Sequence, residues 1–301
     1  MAGLTLVDGV LADTLPVSDR GLLYGDGVFE TIRYRCHQLD LLPAHLARLR
    51  QSCERLGIPV LMPDIERHIS KLLEYQASRS GAGSAGSNGA DGADGIVKII
   101  VTRGDGGRGY TPPASMVPRT LVQFHPLPPH YEQYYRSGIS GMICSHPVSG
   151  NPALAGLKHL NRLDQVMASR ELLAAQGGAG KADPMLQEGL MLDCMGNLVE
   201  GTRSNVFVVL HGQLCTPDLT DAGVCGIMRS ALLAWYREQG IDVAVRQISS
   251  DELSLASELF ICNSVLGVWP VNRVYDFAHD SVLNLPEQAM ARRAQDWLAG
   301  Q

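Results

Sequence analysis

The sequence predicts a mixed α+β protein of two domains, a small N-terminal α/β domain and a larger C-terminal one built on an antiparallel-rich sheet. Three observations carry this reading. Segments of strand period alternate with segments of helix period along the chain. The proline-rich stretch Pro126-Leu-Pro-Pro-His130 interrupts that pattern, and the composition restarts after it. Beyond it, four short strand-like runs follow one another through turn signals, as in an antiparallel meander. These place the domains at residues 1–125 and 134–301, with 126–133 as linker.

In the first domain, hairpin strands are expected around Leu4–Val7 and Val28–Tyr34. Pro43 opens a helix that carries Leu46, Leu49, Cys53 and Leu56 at helical spacing and stops at Gly57. A second helix, about Asp64 to Gln76, runs into a glycine- and serine-rich stretch ending at Gly95, with almost no side chain to bury, which reads as a surface loop. Ile96–Thr102 and Thr120–Phe124 are strands, and they bracket the loop Arg103-Gly-Asp-Gly-Gly-Arg-Gly-Tyr110. The second domain opens with a strand near Ser140–Ser145. A helix to about Ala175 should then start near Lys158, with Leu160, Leu163, Val166, Met167 and Leu173 on one side. The meander comprises Gly189–Asp193, Leu198–Glu200, Asn205–Leu210 and Gln213–Thr216. A helix over about Met228–Gln239 and a buried strand over Glu258–Cys262 complete the pattern.

A hydrophobic content of 45% and a net charge of −6 suit a soluble protein and argue against a nucleic-acid or anionic-membrane surface, which needs a basic patch. The N-terminal residues lack the basic and apolar regions of a leader, and no long apolar run occurs, so a cytoplasmic protein is expected. The seven cysteines are scattered without a Cys-x-x-Cys pair and read as reduced core thiols, neither a disulfide frame nor a metal cage.

The chemistry centres on Asn151-Pro-Ala-Leu-Ala-Gly-Leu-Lys158. A lysine delivered from an apolar, glycine-containing turn onto a helix start is disfavoured as a cation, which makes its amine a nucleophile toward aldehydes. An ordinary surface lysine is the alternative. Glu200, at a strand end facing an apolar interior, can sit beside a protonated ring nitrogen, or flank a turn in solvent. Gly226-Ile227-Met228 opens a helix after a glycine and Ser264 ends a strand, both suited to a phosphate. Arg48 falls off the apolar stripe of its helix, where a solvated position is the ordinary expectation.

Six motifs in order, Tyr24-Gly-Asp-Gly-Val-Phe-Glu-Thr-Ile-Arg33, His45-Leu-Ala-Arg-Leu49, Lys158, Glu200-Gly-Thr-Arg-Ser-Asn-Val-Phe207, Gly226-Ile-Met-Arg229 and Asn263-Ser264, resemble the branched-chain-aminotransferase-like, fold-type IV family of pyridoxal phosphate enzymes. That group also holds D-amino-acid aminotransferase and 4-amino-4-deoxychorismate lyase. The resemblance implies a two-domain subunit, an active site between the domains and a homodimer. It also implies that Lys158 is the Schiff-base lysine, that Glu200 pairs with the pyridine nitrogen, and that Arg48, the Ile227 and Met228 amides and Ser264 hold the phosphate. The segments Asn151–Gln165 and Arg103–Tyr110 look more like the lyase members, which convert 4-amino-4-deoxychorismate to 4-aminobenzoate and pyruvate toward folate, than like the aminotransferases. Leu163 stands where branched-chain aminotransferases carry a tyrosine. By the same resemblance Thr31 assists expulsion of the enolpyruvyl group, although a strand threonine is ordinarily a packing residue. A net-acidic protein needs placed arginines for a substrate with two carboxylates. Arg108 is the first candidate, Arg33 and Arg103 the next, with Tyr110 and Tyr24 lining the pocket. An aminotransferase acting on D-amino or branched-chain substrates with the same cofactor is the nearest alternative, and a small-molecule binding protein in which Lys158 pairs with Glu200 the more distant one.

Overall fold

The computed structural model describes residues 4–80, 94–107, 109–127, 131–177 and 183–300. The chain forms two units, Met1–Pro129 with Lys158–Asn161, and His130–Leu157 with Arg162–Gln301. Most of the glycine-serine stretch, and Arg108, lie outside the described residues, as does much of the proline-rich stretch.

The first unit contains, in chain order, β1 (Leu4–Val7), β2 (Val10–Leu11), α1 (Arg20–Tyr24), β3 (Gly27–Arg35), β4 (Gln38–Leu39), α2 (Leu42–Leu56), α3 (Met62–Ser80), β5 (Gly95–Thr102) and β6 (Arg119–Pro126). Its six strands are ordered β2-β1-β6-β5-β3-β4, and every pair is antiparallel. β1 and β3 are therefore not hairpin partners as expected: β1 turns back onto β2, and β5 and β6 separate it from β3. Along β3 the strand period turns Val28, Glu30, Ile32 and Tyr34 inward and leaves Phe29, Thr31 and Arg33 half-exposed on the other face. The inward row packs with Leu6, Val97, Ile99 and Val122 of the sheet and with Leu49, Cys53, Ile65 and Leu72 of α2 and α3. β4 pairs only with Tyr34 and Arg35, so the N-terminal half of that edge of β3 has backbone groups to satisfy elsewhere.

The second unit contains α4 (Tyr131–Ser137), β7 (Ile139–Ile143), α5 (Leu163–Gly177), β8 (Leu186–Leu192), β9 (Leu198–Gly201), β10 (Asn205–Leu210), β11 (Gln213–Pro217), α6 (Ile227–Glu238), β12 (Val243–Arg246), α7 (Ser250–Leu253), β13 (Ala256–Asn263), β14 (Gly267–Asp276), β15 (Ser281–Asn284) and α8 (Ala289–Ala299). The strands run β12-β11-β10-β13-β14-β7-β8-β9, with β15 on β14. The expected meander is instead two hairpins, β8–β9 and β10–β11, set apart in the sheet because β10 pairs with β13. The turn between β9 and β10 explains the break. Fully buried Glu188 accepts from the Thr202 amide (3.0 Å), the Thr202 hydroxyl and the Ser204 hydroxyl (2.8 Å), which fixes the direction in which β10 departs. Against β10 and β13, α6 and α8 bury Met228, Leu232, Tyr236, Ala291 and Ala294 around the stacked rings of Phe207 and Phe260.

Two further expectations are corrected. The apolar stripe of α5 is not its buried face: Leu163, Val166, Met167 and Leu173 are exposed, whereas Ala168 and Leu172 are buried. Small Ala168 lets the helix lie close to Cys144 and Met191, and Leu172 fills the space beside Met142 and Leu186. The cysteines are not all core thiols: Cys36, Cys194 and Cys225 are exposed, while burial pushes the thiols of Cys53, Cys144 and Cys262 up to about 12. No helix among the described residues is long and apolar enough to cross a membrane.

An ion cluster anchors the start of β3. Asp26 Oδ2 accepts from Arg20 Nε (2.9 Å) and Arg103 Nε (2.7 Å), and both arginines are buried. Arg103 also donates to the Leu56 and Gly57 carbonyls at the end of α2. Burial raises the Asp26 pKa, but the hydrogen bonds from Arg103 and Arg20 outweigh it and hold the carboxyl below its ordinary value. A depressed folded-state pKa gives stability that is complete above the unfolded pKa near 4 and is lost as pH falls through the folded value. Asp26→Asn should thus cost about 3 kcal/mol at neutral pH by stranding two buried guanidiniums, with the gap to the parent narrowing below about pH 4. Urea unfolding across pH measures both, and a neutral-pH loss under about 1 kcal/mol would refute this role.

Candidate active site

Lys158 is not at a helix start. α5 begins five residues later, and the lysine lies in a short extended segment on the open edge of β3. The Phe29 amide donates to the Lys158 carbonyl (2.9 Å) and the Leu160 amide to the Gly27 carbonyl (3.0 Å), so Lys158–Leu160 completes the antiparallel pairing that β4 leaves unmade. This seating places Lys158 Nζ over the Phe29 ring, 4.4 Å from its centroid. Thr31 and Arg33 share that face of β3 by strand alternation. Lys98, opposite Thr31 on β5, brings a second lysine Nζ to the same ring at 5.3 Å. The first unit thus gathers three of the sequence-predicted residues, Lys158, Thr31 and Arg33, on one strand face.

Arg48 is not solvated either. Its Nε (2.7 Å) and Nη2 (2.6 Å) form a fork on the Glu30 carboxylate, which also takes His45 Nδ1 at 2.6 Å. Burial raises the Glu30 pKa, but the bonds from His45 and Arg48 prevail and lower it, so the carboxylate stays charged and orients the guanidinium. The helical period that brings His45 and Leu49 inward carries Arg48 to the rim of the same face.

The loop after β5 has its own anchor. Arg20 extends Nη2 to the Tyr110 carbonyl (2.8 Å) and Nη1 to that of Gly109 (3.2 Å), and its guanidinium lies over Tyr24, 4.9 Å from the ring centroid. Tyr24 and Tyr110 meet edge to face at 5.4 Å, with Tyr110 itself highly exposed. Arg103, spent on Asp26 and on backbone, is structural.

In the second unit Glu200 is buried on β9, opposite Met191. Its Oε1 accepts from Gln165 Nε2 (3.0 Å) and its Oε2 from the Val224 amide (2.8 Å). The Val224 carbonyl in turn accepts from Asn205 Nδ2 (2.8 Å). On either side of Val224, Gly156 pairs with the chain, its amide donating to Gly223 and its carbonyl accepting from Cys225. Two residues on, α6 starts at Ile227 from an extended Gly226 with no side-chain cap, so the first-turn amides, those of Ile227 and Met228 included, have no partner within the helix. A Cβ on Gly226 would overlap Asn205 Oδ1, which is why glycine stands there. Arg229 ties the same turn to β11 through Thr216 Oγ1 (3.2 Å) and the Pro217 carbonyl (2.9 Å). Ser264 lies in the β13–β14 turn beside Asn263, whose side chain donates to the Arg203 carbonyl (3.0 Å). The second unit therefore links Glu200 to the Ile227–Met228 amides through the short backbone segment Val224–Gly226. An uncapped helix N-terminus and a buried carboxylate fit the phosphate and pyridine nitrogen of pyridoxal phosphate.

Sequence reasoning missed Arg20, Lys98, Glu188 and Asn205. Lys98 had a legible signal, a lysine breaking the apolar run Ile96–Val101. Asn205 had none, since its role rests on contact with residues nearly twenty positions away.

The chain matches the family model described as amino-transferase class IV over residues 27–274. It is 31% identical to the aminodeoxychorismate lyase of Vibrio harveyi over 289 residues, covering 96% of this chain and 97% of that protein. It is 32% identical to a putative branched-chain-amino-acid aminotransferase of Methanocaldococcus jannaschii over 256 residues, covering 85% and 81%. The solved structure of 4-amino-4-deoxychorismate lyase from Pseudomonas aeruginosa superposes with a TM-score of 0.82 at 39% identity, covering 99% of each chain. The ordered motifs, the two-unit mixed α+β fold and these likenesses together establish that the chain belongs to the class IV aminotransferase family.

Proposed function

We propose that this protein is a pyridoxal-phosphate-dependent lyase that converts 4-amino-4-deoxychorismate to 4-aminobenzoate and pyruvate. The observation that carries the reading is the seating of the Lys158 amine over Phe29, on the strand face that also bears Thr31. The end-to-end likeness to two lyases supports it. Lys158 would bond the cofactor's aldehyde carbon, Glu200 would keep the pyridine nitrogen protonated, and the Ile227 and Met228 amides, Ser264 and Arg48 would hold the phosphate. When bound, that cofactor supplies an electron sink conjugated to the substrate amine.

The chain's own groups then move protons. Lys158 Nζ takes the proton from the substrate carbon that bears the amine. The bond from the neighbouring carbon to the enolpyruvyl oxygen breaks, the ring becomes aromatic, and Thr31 Oγ1 gives or relays a proton to the departing enolpyruvate, which becomes pyruvate. Atoms balance with no further reactant. Arg108, Arg33, Tyr24 and Tyr110 are assigned to the substrate, the arginines to its carboxylates. The protein is further assigned to the cytoplasm, as a homodimer that supplies 4-aminobenzoate toward folate.

Protein loaded with pyridoxal phosphate should release pyruvate from 4-amino-4-deoxychorismate, read by coupled lactate dehydrogenase, and Lys158→Ala should lower that rate by at least about a thousandfold. A yellow, folded protein that releases none, yet transaminates D-alanine or a branched-chain amino acid, would move the function to an aminotransferase. Glu200→Gln should retain cofactor but lose turnover on the order of a hundredfold, because an amide does not hold the ring proton as a carboxylate does. Unchanged turnover would remove Glu200 from that role.

A further inference from the structure

Glu200 and the N-terminus of α6 are both tied to one residue, Val224. The amide side of Val224 donates to Glu200 Oε2 and its carbonyl side accepts from Asn205 Nδ2, each at 2.8 Å. Asn205 is buried, and its other polar atom, Oδ1, backs directly onto Gly226, the residue from which α6 starts. Its backbone is fixed independently as the first residue of β10, opposite Cys262 on β13. The turn before it is clamped by Glu188 through Thr202 and Ser204, so the strand end cannot drift with the loop. One side chain therefore reaches from a rigid sheet position to the Val224 carbonyl on one side and to the helix start on the other.

The geometry points to Asn205 as a positioning residue that sets the spacing between the Glu200 carboxylate and the first amides of α6. This rests on the assignment above of those two groups to the ring nitrogen and the phosphate of one cofactor. A rigid ligand that spans both anchors gains from each only if their separation is held in advance. Without the Asn205 amide, Val224 keeps its bond to Glu200 on β9 but loses its tie to β10, so the segment leading into α6 has one fewer hold on the sheet, the others being Glu200 and Arg229. Cofactor affinity should fall through the phosphate contribution in particular, because the helix start is the end that moves.

The test compares pyridoxal phosphate with pyridoxal, which lacks the phosphate, by absorbance titration of the apo-protein. The parent should bind the phosphorylated form far more tightly, and failure to bind either would count against the cofactor reading itself. Asn205→Ala should weaken pyridoxal phosphate binding by about tenfold or more while changing pyridoxal binding by less than about threefold. The apo-variant should still unfold cooperatively, within several degrees of the parent. Asn205→Asp, equal in volume but without the donated N–H, carries the same prediction should the alanine variant not fold. Unchanged pyridoxal phosphate affinity, or an equal loss for both ligands, would overturn the proposal, as would failure of both variants to fold.

Discussion

The second unit is organised around the backbone of Val224. A buried carboxyl group must be given hydrogen-bond partners, and Glu200 receives one from the Val224 amide and another from Gln165. The carbonyl of the same residue must also be satisfied, and Asn205 supplies that. Gly156 closes the backbone on both neighbours. These requirements leave the segment almost no freedom. Gly223 adopts φ +82°, and a Cβ there would press on Leu219 and Val199, so the residue that turns the chain into the segment is restricted to glycine on two counts. The hydrogen bonds that satisfy the buried Glu200 carboxyl also help fix where α6 begins. The uncapped start of α6 and the buried carboxyl are thus products of one set of contacts.

In the first unit the corresponding constraint is an edge. β4 is two residues long and stops short, so the Gly27–Phe29 edge of β3 needs a partner. Lys158–Leu160 provides it through backbone bonds that do not depend on side-chain identity. The lysine is consequently oriented by sheet geometry, and its amine meets the half-exposed row of β3 over Phe29. The inward row contributes Glu30, whose carboxylate draws Arg48 and His45 of α2 together. One strand therefore meets Lys158 on one face and orients Arg48 from the other, which follows from its period of two.

Much of this was legible in the sequence, and what escaped has a common cause. Strand and helix periods located β3, α2, β5, β6, β10 and α6 to within about two residues, because local patterning decides those elements. The order of strands was not readable: β10 leaves β9 for β13 on account of Glu188, an interaction fourteen residues long in sequence. The stripe on α5 misled for a related reason. Ala168 and Leu172 are the buried positions, and a small residue that permits close approach carries less weight in a hydrophobic pattern than the four larger side chains left outside. Lys158 and Glu200 stand out in the sequence because a lysine after an apolar, glycine-containing turn and a glutamate at a strand end have a local context. Arg20 and Asn205 do not, because they act on backbone carbonyls, which every residue possesses.

The arginines divide by depth. With a net charge of −6, the chain has few cations to spare for an anionic substrate. Four of the most deeply placed serve the fold: Arg20 and Arg103 on Asp26 and loop carbonyls, Arg48 on Glu30, and Arg229 on the β11 backbone. Desolvating a guanidinium is costly unless its donors are filled, so each of these sites is built from carboxylate or carbonyl oxygens at hydrogen-bonding distance. A cation so committed has limited capacity to rearrange around a ligand. Arg33 on β3 and Lys98 on β5 lie instead on half-exposed strand faces. The fork of Arg48 on Glu30 fixes the plane of its guanidinium.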